Sequence, residues 1–254
     1  MKILLVNDDG IYAPGLRALA KELPKKHEVI VVAPSWEHSG QGHAITLGPS
    51  LSVKRVEYPF VKAAYRVTGT PADCVKIALH KLIKENIDCV VSGINHGLNT
   101  GVSVFYSGTI AAAVEGAINN VASIAVSAEH ASRMDWKKVS EHFSGVLDKL
   151  TLTPGCCFNV NYPDPKRARW HGVTVAKQSI QGFEESYGEE PLSDGEKAYS
   201  LGGDLNPLKD KHDTDVSLLE RGGITITAIR KDFTDLKGND YLRQVFGNMP
   251  PPIR

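Results

Sequence analysis

Over its first 160 residues the chain alternates short apolar runs with longer stretches of helical periodicity. KILLV at 2–6, HEVIVVAP at 27–34, IDCVVSGIN at 87–95 and VASIAVSA at 121–128 are mostly apolar without strict period-two alternation. Strands buried on both faces read this way. Between them, PGLRALAKEL at 14–23 places Leu16, Leu19 and Leu23 on one helical face, with Pro14 suited to an early helical position. TPADCVKIALHKLI at 70–83 repeats the pattern, with Thr70 as cap, Pro71 just inside, and Val75, Ala78, Leu79 and Leu82 along a face. SGTIAAAVEGAINN at 107–120 predicts a small-residue helix entered through Gly108, and MDWKKVSEHFSGVLDKL at 134–150 a long amphipathic helix capped by Asp135. HAITL, LSVKRVEY and AAYRVTG, between 43 and 69, read as shorter strands in or beside the third crossover. The expected fold is α/β, a mostly parallel sheet sandwiched between helices.

The character changes after CCFNVNYP at 156–163. Residues 163–212 are rich in charge, Gly and Pro, with strand-like pieces GVTVAKQS and KAYSLGG, and predict hairpins that project from the body or reach a partner subunit. TDVSLLERGG reads as a short helix ended by glycine and ITITAIR as a strand. The PPIR tail is expected to be peripheral. The division that follows is a body over 1–162, completed by parts of 213–230, and a hairpin-containing C-terminal extension and oligomerisation region over 163–254.

Composition narrows the function. Of 254 residues, Lys plus Arg number 29 and Asp plus Glu 29, so no net charge favours a nucleic acid polymer or a membrane surface. The four cysteines form no CxxC and predict buried free thiols rather than a zinc site. The first apolar run stops at Asn7, too short for a signal peptide, and no stretch reaches membrane-spanning length. The cytoplasm is the expected location.

Three loops leave the carboxyl ends of predicted strands, where parallel sheets bind ligands: NDDG after the first strand, APSWEHSGQGHA after the second, and SGINHGLN. Asp8 and Asp9 repel each other unless a cation, a solvated turn or a helix N-terminus stabilises them. Alone, such a pair would read as an Asx turn and a helix cap. With the Ser39 hydroxyl and the Asn95 amide oxygen it becomes an oxygen-only set suited to Mg²⁺, Mn²⁺ or Ca²⁺. His38, His43 and His96 lack an HxxxH pattern and read as loop hydrogen-bonding groups, a zinc role being the minor alternative. YSGT at 106–109 opens a predicted helix, whose unpaired N–H groups would favour an anion. Ser107 and Thr109 would add hydroxyls there, and Gly108 would allow close backbone approach. An ordinary Ser/Thr cap is the competing reading. Neither GxGxxG after the first strand, nor a Walker loop, nor GxSxG occurs. Carboxylates on a metal beside an anion cradle suggest phosphoryl transfer to water, with Asp8 as general base or, as the lesser alternative, as nucleophile on phosphorus.

Five ordered motifs carry a family resemblance: ILLVNDDGIYAPGLRAL at 3–19, VVAPSWEHSGQGHAIT at 31–46, VTGTPADCV at 67–75, DCVVSGINHGLNTG at 88–101 and VFYSGTIAAAVEG at 104–116. They resemble the SurE family of stationary-phase survival proteins and 5′/3′-nucleotidases. FNVNYP at 158–163 and the TD at 214–215 also resemble it. The resemblance implies a Rossmann-like three-layer body and one divalent metal ion per subunit held by Asp8, Asp9, Ser39 and Asn95. It implies phosphate contacts from Asn95, Ser107, Gly108 and Thr109, with Asp8 and Asn95 as the catalytic residues. It further implies hydrolysis of nucleoside monophosphates, in some members of short polyphosphate. C-terminal elements would be exchanged in a homodimer, sometimes within a homotetramer. Trp36, His38, His43, His96, Phe105 and Tyr106 are candidate lids or stacking surfaces, and the basic loop at 165–171 a candidate polyphosphate attractor. Two other classes remain: a Ca²⁺-dependent nucleoside hydrolase and a non-catalytic nucleotide sensor.

Overall fold

The first strand, β1 (Lys2–Val6), sends its side chains alternately to two apolar clusters. Ile3 and Leu5 pack in a cluster with Leu16 and Leu19 of α1 (Pro14–Glu22) and with Val139 and Phe143 of α4 (Trp136–Leu147). Leu4 and Val6 join Cys74 and Val75 of α2 (Pro71–Ile77) and Ala112 of α3 (Gly108–Ile118). Each Leu, Ile, Val or Phe side chain among these, fully buried, stabilises the fold by about 1.5–3 kcal/mol. The result is the expected three-layer α/β sandwich, seen here in a computed structural model that describes residues 1–132, 134–164, 170, 172–180, 183–205 and 212–247.

The remaining strands are β2 (Glu28–Pro34), β3 (Val53–Arg55), β4 (Ala63–Val67), β5 (Cys89–His96), β6 (Ala122–Ala128), β7 (Cys157–Tyr162), β8 (Val173–Val175), β9 (Phe183–Pro191), β10 (Lys197–Leu205) and β11 (Ile224–Ala228). The main sheet runs β3-β4-β2-β1-β5-β6-β7-β11-β8. From β4 to β7 all neighbours are parallel, while β3 and β11 run antiparallel to β4 and β7. The chain moves outward from β1 to β2 and β4, then returns to lay β5 on the other side of β1. That reversal opens a crevice between the carboxyl ends of β1 and β5. The strand β9 pairs with β10 in a separate hairpin, and α5 (Asp215–Glu220) leads into β11.

Several expected elements differ. HAITL forms no strand, because its polar groups are used by the start of α2. The Thr46 hydroxyl donates to Asp73 at 2.6 Å, and the Ala44 carbonyl accepts from the Thr70 hydroxyl at 2.7 Å. Thr70 does cap α2, in a reciprocal capping box with Asp73. Beyond Ile77 that helix continues as a π turn, Ala78–Leu82. The sequence reading also missed α6 (Leu236–Phe246), none of whose residues is buried. Tyr241 with Val245 and Leu242 with Phe246, each pair at i, i+4, were the available signal. The PPIR tail and all of the 165–171 loop except Trp170 lie outside the described residues. All four cysteines are free, and Cys74, Cys89 and Cys157 are buried. No helix among the described residues is long and apolar enough to cross a membrane.

Gly15 sets α1 flush against the carboxyl end of β5: a Cβ there would lie 2.0 Å from the Ile94 carbonyl oxygen. Backbone cannot retreat as a flexible side chain can. Gly15→Ala is therefore expected to destabilise the chain by about 1–3 kcal/mol. Denaturant titration checks this, and an unchanged midpoint would mean that α1 is free to shift.

Candidate active site at the reversal of strand order

The turn after β1 is closed by Asn7, fully buried, whose Nδ2 donates to the Gly10 carbonyl at 3.0 Å. It leaves Asp8 and Asp9 in the crevice. Asp8 is 4% exposed and lies against the first turn of α3. The Thr109 amide donates to Asp8 Oδ2 at 3.2 Å, and the Thr109 hydroxyl donates to Asp8 Oδ1. Gly108 permits this approach, since a Cβ there would meet Asp8 Cβ at 2.9 Å and Oδ2 at 3.1 Å. A carboxylate from β1 thus sits on the positive end of α3.

Asp9 accepts from the His96 amide, next to Asn95, at 3.4 Å. Burial raises the pKa of Asp8, although its hydrogen bonds with Thr109 oppose the rise. Burial and then the neighbouring Asp8 charge push Asp9 up to about 7. Both shifts mean that the folded chain resists holding two negative charges here without a cation.

Asn95 comes from the end of β5, and its Nδ2 donates to the Gly97 carbonyl at 2.8 Å, so Oδ1 is the end of the amide that a cation would meet. Ser39 lies on a loop held over the crevice at both ends. The His38 amide donates to the Asp8 carbonyl at 2.9 Å, and the Gly42 amide to the Tyr106 carbonyl at 2.9 Å. Ser39 is exposed, and its hydroxyl donates to Glu37 at 2.6 Å rather than to either aspartate. Ser107 caps α3, accepting from the Ile110 amide at 3.1 Å. The two hydroxyls expected on a phosphate therefore have partners within the chain, and that of Thr109 serves Asp8.

No group of three or more His, Cys, Asp or Glu that could hold a metal occurs among the described residues. A divalent cation here would rest on two carboxylates, a hydroxyl and an amide, a hard oxygen set that fits Mg²⁺, Mn²⁺ or Ca²⁺. The histidines have other partners, although His38 Nε2 is buried without one among the described residues. His38 meets Gln41 at 2.8 Å, His43 meets Glu115 at 3.0 Å, and His96 stacks on His130 with centroids 4.2 Å apart. Trp36, Phe105 and Tyr106 are exposed. Beside Ser107 opens a cavity of ≈ 520 Å³, with Val104, Ile110 and Val114 on its walls and Lys177 and Arg230 among its polar lining.

Two polar clusters near the site escaped the sequence reading. Glu115, 3% exposed inside α3, takes bonds at 3.0 Å from both His43 and Lys76. Asn99, Asn159 and Asn161 are buried together: Asn161 Oδ1 accepts from the Asn99 amide at 2.9 Å, and Asn159 Nδ2 donates to the Asn99 carbonyl at 2.7 Å. The asparagines alternating inside the apolar run FNVNY were the available signal.

By topology and donor set the chain is a doubly wound α/β protein with an oxygen-lined crevice at the point where strand order reverses. The family model described as "Survival protein SurE" matches residues 3–185. A protein named 5′-nucleotidase SurE from Clostridium botulinum (strain Kyoto / Type A2) is 39% identical over 252 residues, 97% of this chain and 99% of the relative. One of the same name from Syntrophomonas wolfei is 37% identical over 255 residues, 97% of this chain and 95% of the relative. The crystal structure of the SurE protein from Aquifex aeolicus superposes with a TM-score of 0.84 at 29% identity, covering 96% of this chain and 99% of that one. The chain belongs to the SurE family.

Two outcomes follow from the electrostatics. Asp9 has a folded pKa above its unfolded value of 3.8, so its ionisation costs stability as pH rises from there through about 7. Metal-free Asp9→Asn should thus melt above the metal-free wild type at pH 8, and lose most of the wild type's stabilisation by Mn²⁺. Scanning calorimetry with chelator and with Mn²⁺ reads both; an undiminished Mn²⁺ effect would remove Asp9 from the ligand set. Glu115 behaves oppositely. Burial alone would raise its pKa, but hydrogen bonds from His43 and Lys76 outweigh it and hold the carboxyl down at about 2. Its contribution is complete above pH 4.5 and lost as pH falls toward about 2. Glu115→Gln should flatten the acid limb of the stability curve in that window, and an identical limb would contradict the assignment.

Proposed function

We propose that this chain is a divalent-metal-dependent 5′-nucleotidase that hydrolyses nucleoside monophosphates to nucleoside and phosphate. The carrying observation is the buried Asp8–Asp9 pair, set where strand order reverses and against the N-terminus of α3. The names of the Clostridium botulinum and Syntrophomonas wolfei relatives support the substrate class. Nucleoside 3′-monophosphates and short polyphosphate belong to the same reading as further substrates, and the cytoplasm as its location.

Asp8, Asp9, Ser39 and Asn95 would hold the cation, Ser39 by turning its hydroxyl away from Glu37. The bound ion supplies Lewis acidity toward a phosphoryl oxygen and lowers the pKa of water. The chain's own groups do the rest. Asn95 and Ser107 orient the phosphate, and Gly108 lets it approach the backbone at the start of α3. Thr109 holds Asp8 in one rotamer, and Asp8 takes the proton of the attacking water. The cavity beside Ser107 has the size of a small-molecule site and apolar walls for the nucleoside.

A phosphate-release screen over nucleoside 5′- and 3′-monophosphates, with and without Mn²⁺ or Mg²⁺, tests the proposal. Free base with ribose phosphate would point instead to nucleoside hydrolysis, and tight retention without turnover to a sensor. Within the screen, Thr109→Val should lower kcat/KM by roughly ten- to a hundredfold, the worth of a hydrogen bond to a charged group. Because the hydroxyl serves Asp8, Mn²⁺ affinity should fall with it. Unchanged constants would reduce Thr109 to a packing residue.

The same reading includes assembly as a homodimer or homotetramer. Tyr241, Leu242, Val245 and Phe246 of α6 are 47–79% exposed, and Tyr187, Tyr199 and Leu201 of the β9–β10 hairpin are 59–67% exposed. Apolar area of this kind on two projecting elements suits a second copy. Light scattering over a concentration series should give at least twice 27.6 kDa, and a mass of 27.6 kDa throughout would overturn it.

A further inference from the structure

Eleven residues of chain separate Asn95 from Ser107, so the segment joining the cation side to the phosphate side of the site must itself be held. Its first part is tied down by the asparagine cluster: the Asn99 carbonyl accepts from Asn159 at 2.7 Å and Asn161 at 3.1 Å, while Asn99 Nδ2 donates to Ser127 at 2.8 Å. Its second part is a 3-10 turn, Gly101–Tyr106, that delivers Ser107 to the start of α3. The first residue of that turn is bonded twice to the C-terminal half. The Gly101 amide donates to Asp215 Oδ2 at 3.0 Å, and the Gly101 carbonyl accepts from Gln178 Nε2 at 2.8 Å.

Asp215 is 1% exposed, and its other oxygen, Oδ1, accepts from the Ser179 and Val216 amides, each at 2.9 Å. Lys177 is also joined by backbone bonds to the strip 213–215: its amide donates to the Asp213 carbonyl at 3.1 Å, and its carbonyl accepts from the Asp215 amide at 2.8 Å. These two strips flank the β9–β10 hairpin in sequence, one leading into it and the other following it. They form its root. Asp215 thus binds the two strips of the root to each other and both to Gly101, more than a hundred positions earlier.

We infer that Asp215, with Gln178, is a positioning residue for phosphate binding: it fixes the 101–106 turn, and through it Ser107, to the root of the hairpin. This rests on the nucleotidase reading for its substrate. An asparagine at 215 would keep the shape but replace one accepting oxygen by an NH₂ that faces a donor N–H. Loss of either clamp lets Ser107 wander by fractions of an ångström, which positioned groups do not tolerate.

The test compares Asp215→Asn and Gln178→Ala with Leu147→Ala, a core cavity in α4 that destabilises the chain without touching the turn. Hydrogen–deuterium exchange should quicken over 99–106 in the first two and not in the third. The KM for a nucleoside 5′-monophosphate and the inhibition constant of inorganic phosphate should both rise about tenfold in the clamp variants. Gln178 is half-buried, so its variant decides the matter if Asp215→Asn does not fold. Unchanged exchange over 99–106 in Gln178→Ala, or an equal rise in KM in Leu147→Ala, would overturn the assignment. A wild type that releases no phosphate from any nucleotide would sink the nucleotidase reading instead, and the exchange measurement would still decide whether the clamp exists.

Discussion

A carboxylate that is 4% exposed, one residue from a second carboxylate, must be stabilised by something other than bulk water. For Asp8 that something is the first turn of α3, whose Thr109 amide and hydroxyl both donate to it. Much of the architecture serves this contact. It requires β1 and α3 to meet at the end of the sheet, and a residue at 108 with no Cβ. It also places a carboxylate on the positive end of α3, next to the position proposed for the phosphate. Even so, the Asp8 pKa stays raised and that of Asp9 sits at about 7, so Thr109 meets only part of the cost of burial and repulsion. Under the proposed function, a bound cation would meet the rest.

Around that contact the loops are fastened by backbone bonds and buried amides as well as by the apolar packing of Ile11 and Val104. The His38 and Gly42 amides hold the Ser39 loop against Asp8 and Tyr106, and the asparagines of β7 hold the turn after β5. Polar fasteners suit a ligand crevice, because each bond fixes direction as well as distance and leaves neighbouring groups open to solvent. They also explain why Asn159 and Asn161 interrupt an otherwise apolar strand. Their amides replace ladder partners that an irregular loop lacks.

The C-terminal half is joined to this system in two different ways. Through β11 and β8 it extends the main sheet beyond β7, so residues 173–175 and 224–228 are integral to the body. The hairpin and α6 instead carry their aromatic and aliphatic side chains into solvent. Between the two lies the hairpin root, which reaches Gly101 through Asp215 and Gln178. A segment that looks peripheral along the chain is thus one hydrogen bond from the turn that carries Ser107.

What the sequence determined by itself was everything encoded locally. Runs such as KILLV and HEVIVVAP marked doubly buried strands, Thr70-Pro71 and Asp135 marked helix starts, and the adjacency of Asp8 and Asp9 marked a place where charge must be neutralised. The family motifs added the ligand set as an expectation. Tertiary structure alone decided which partners those groups took. HAITL has strand propensity, yet Asp73 and Thr70 claimed its polar groups. Thr109 reads as a phosphate donor, yet packing turned its hydroxyl onto Asp8. Glu115 looks like a helix-surface charge, yet it is buried against His43 and Lys76. Asp215 gave no local sign of a bond to Gly101, 114 positions away. Periodicity and capping act over a few residues and can be read from composition and spacing. A hydrogen bond between distant segments depends on where two folded elements bring their donors and acceptors, and no local pattern encodes that.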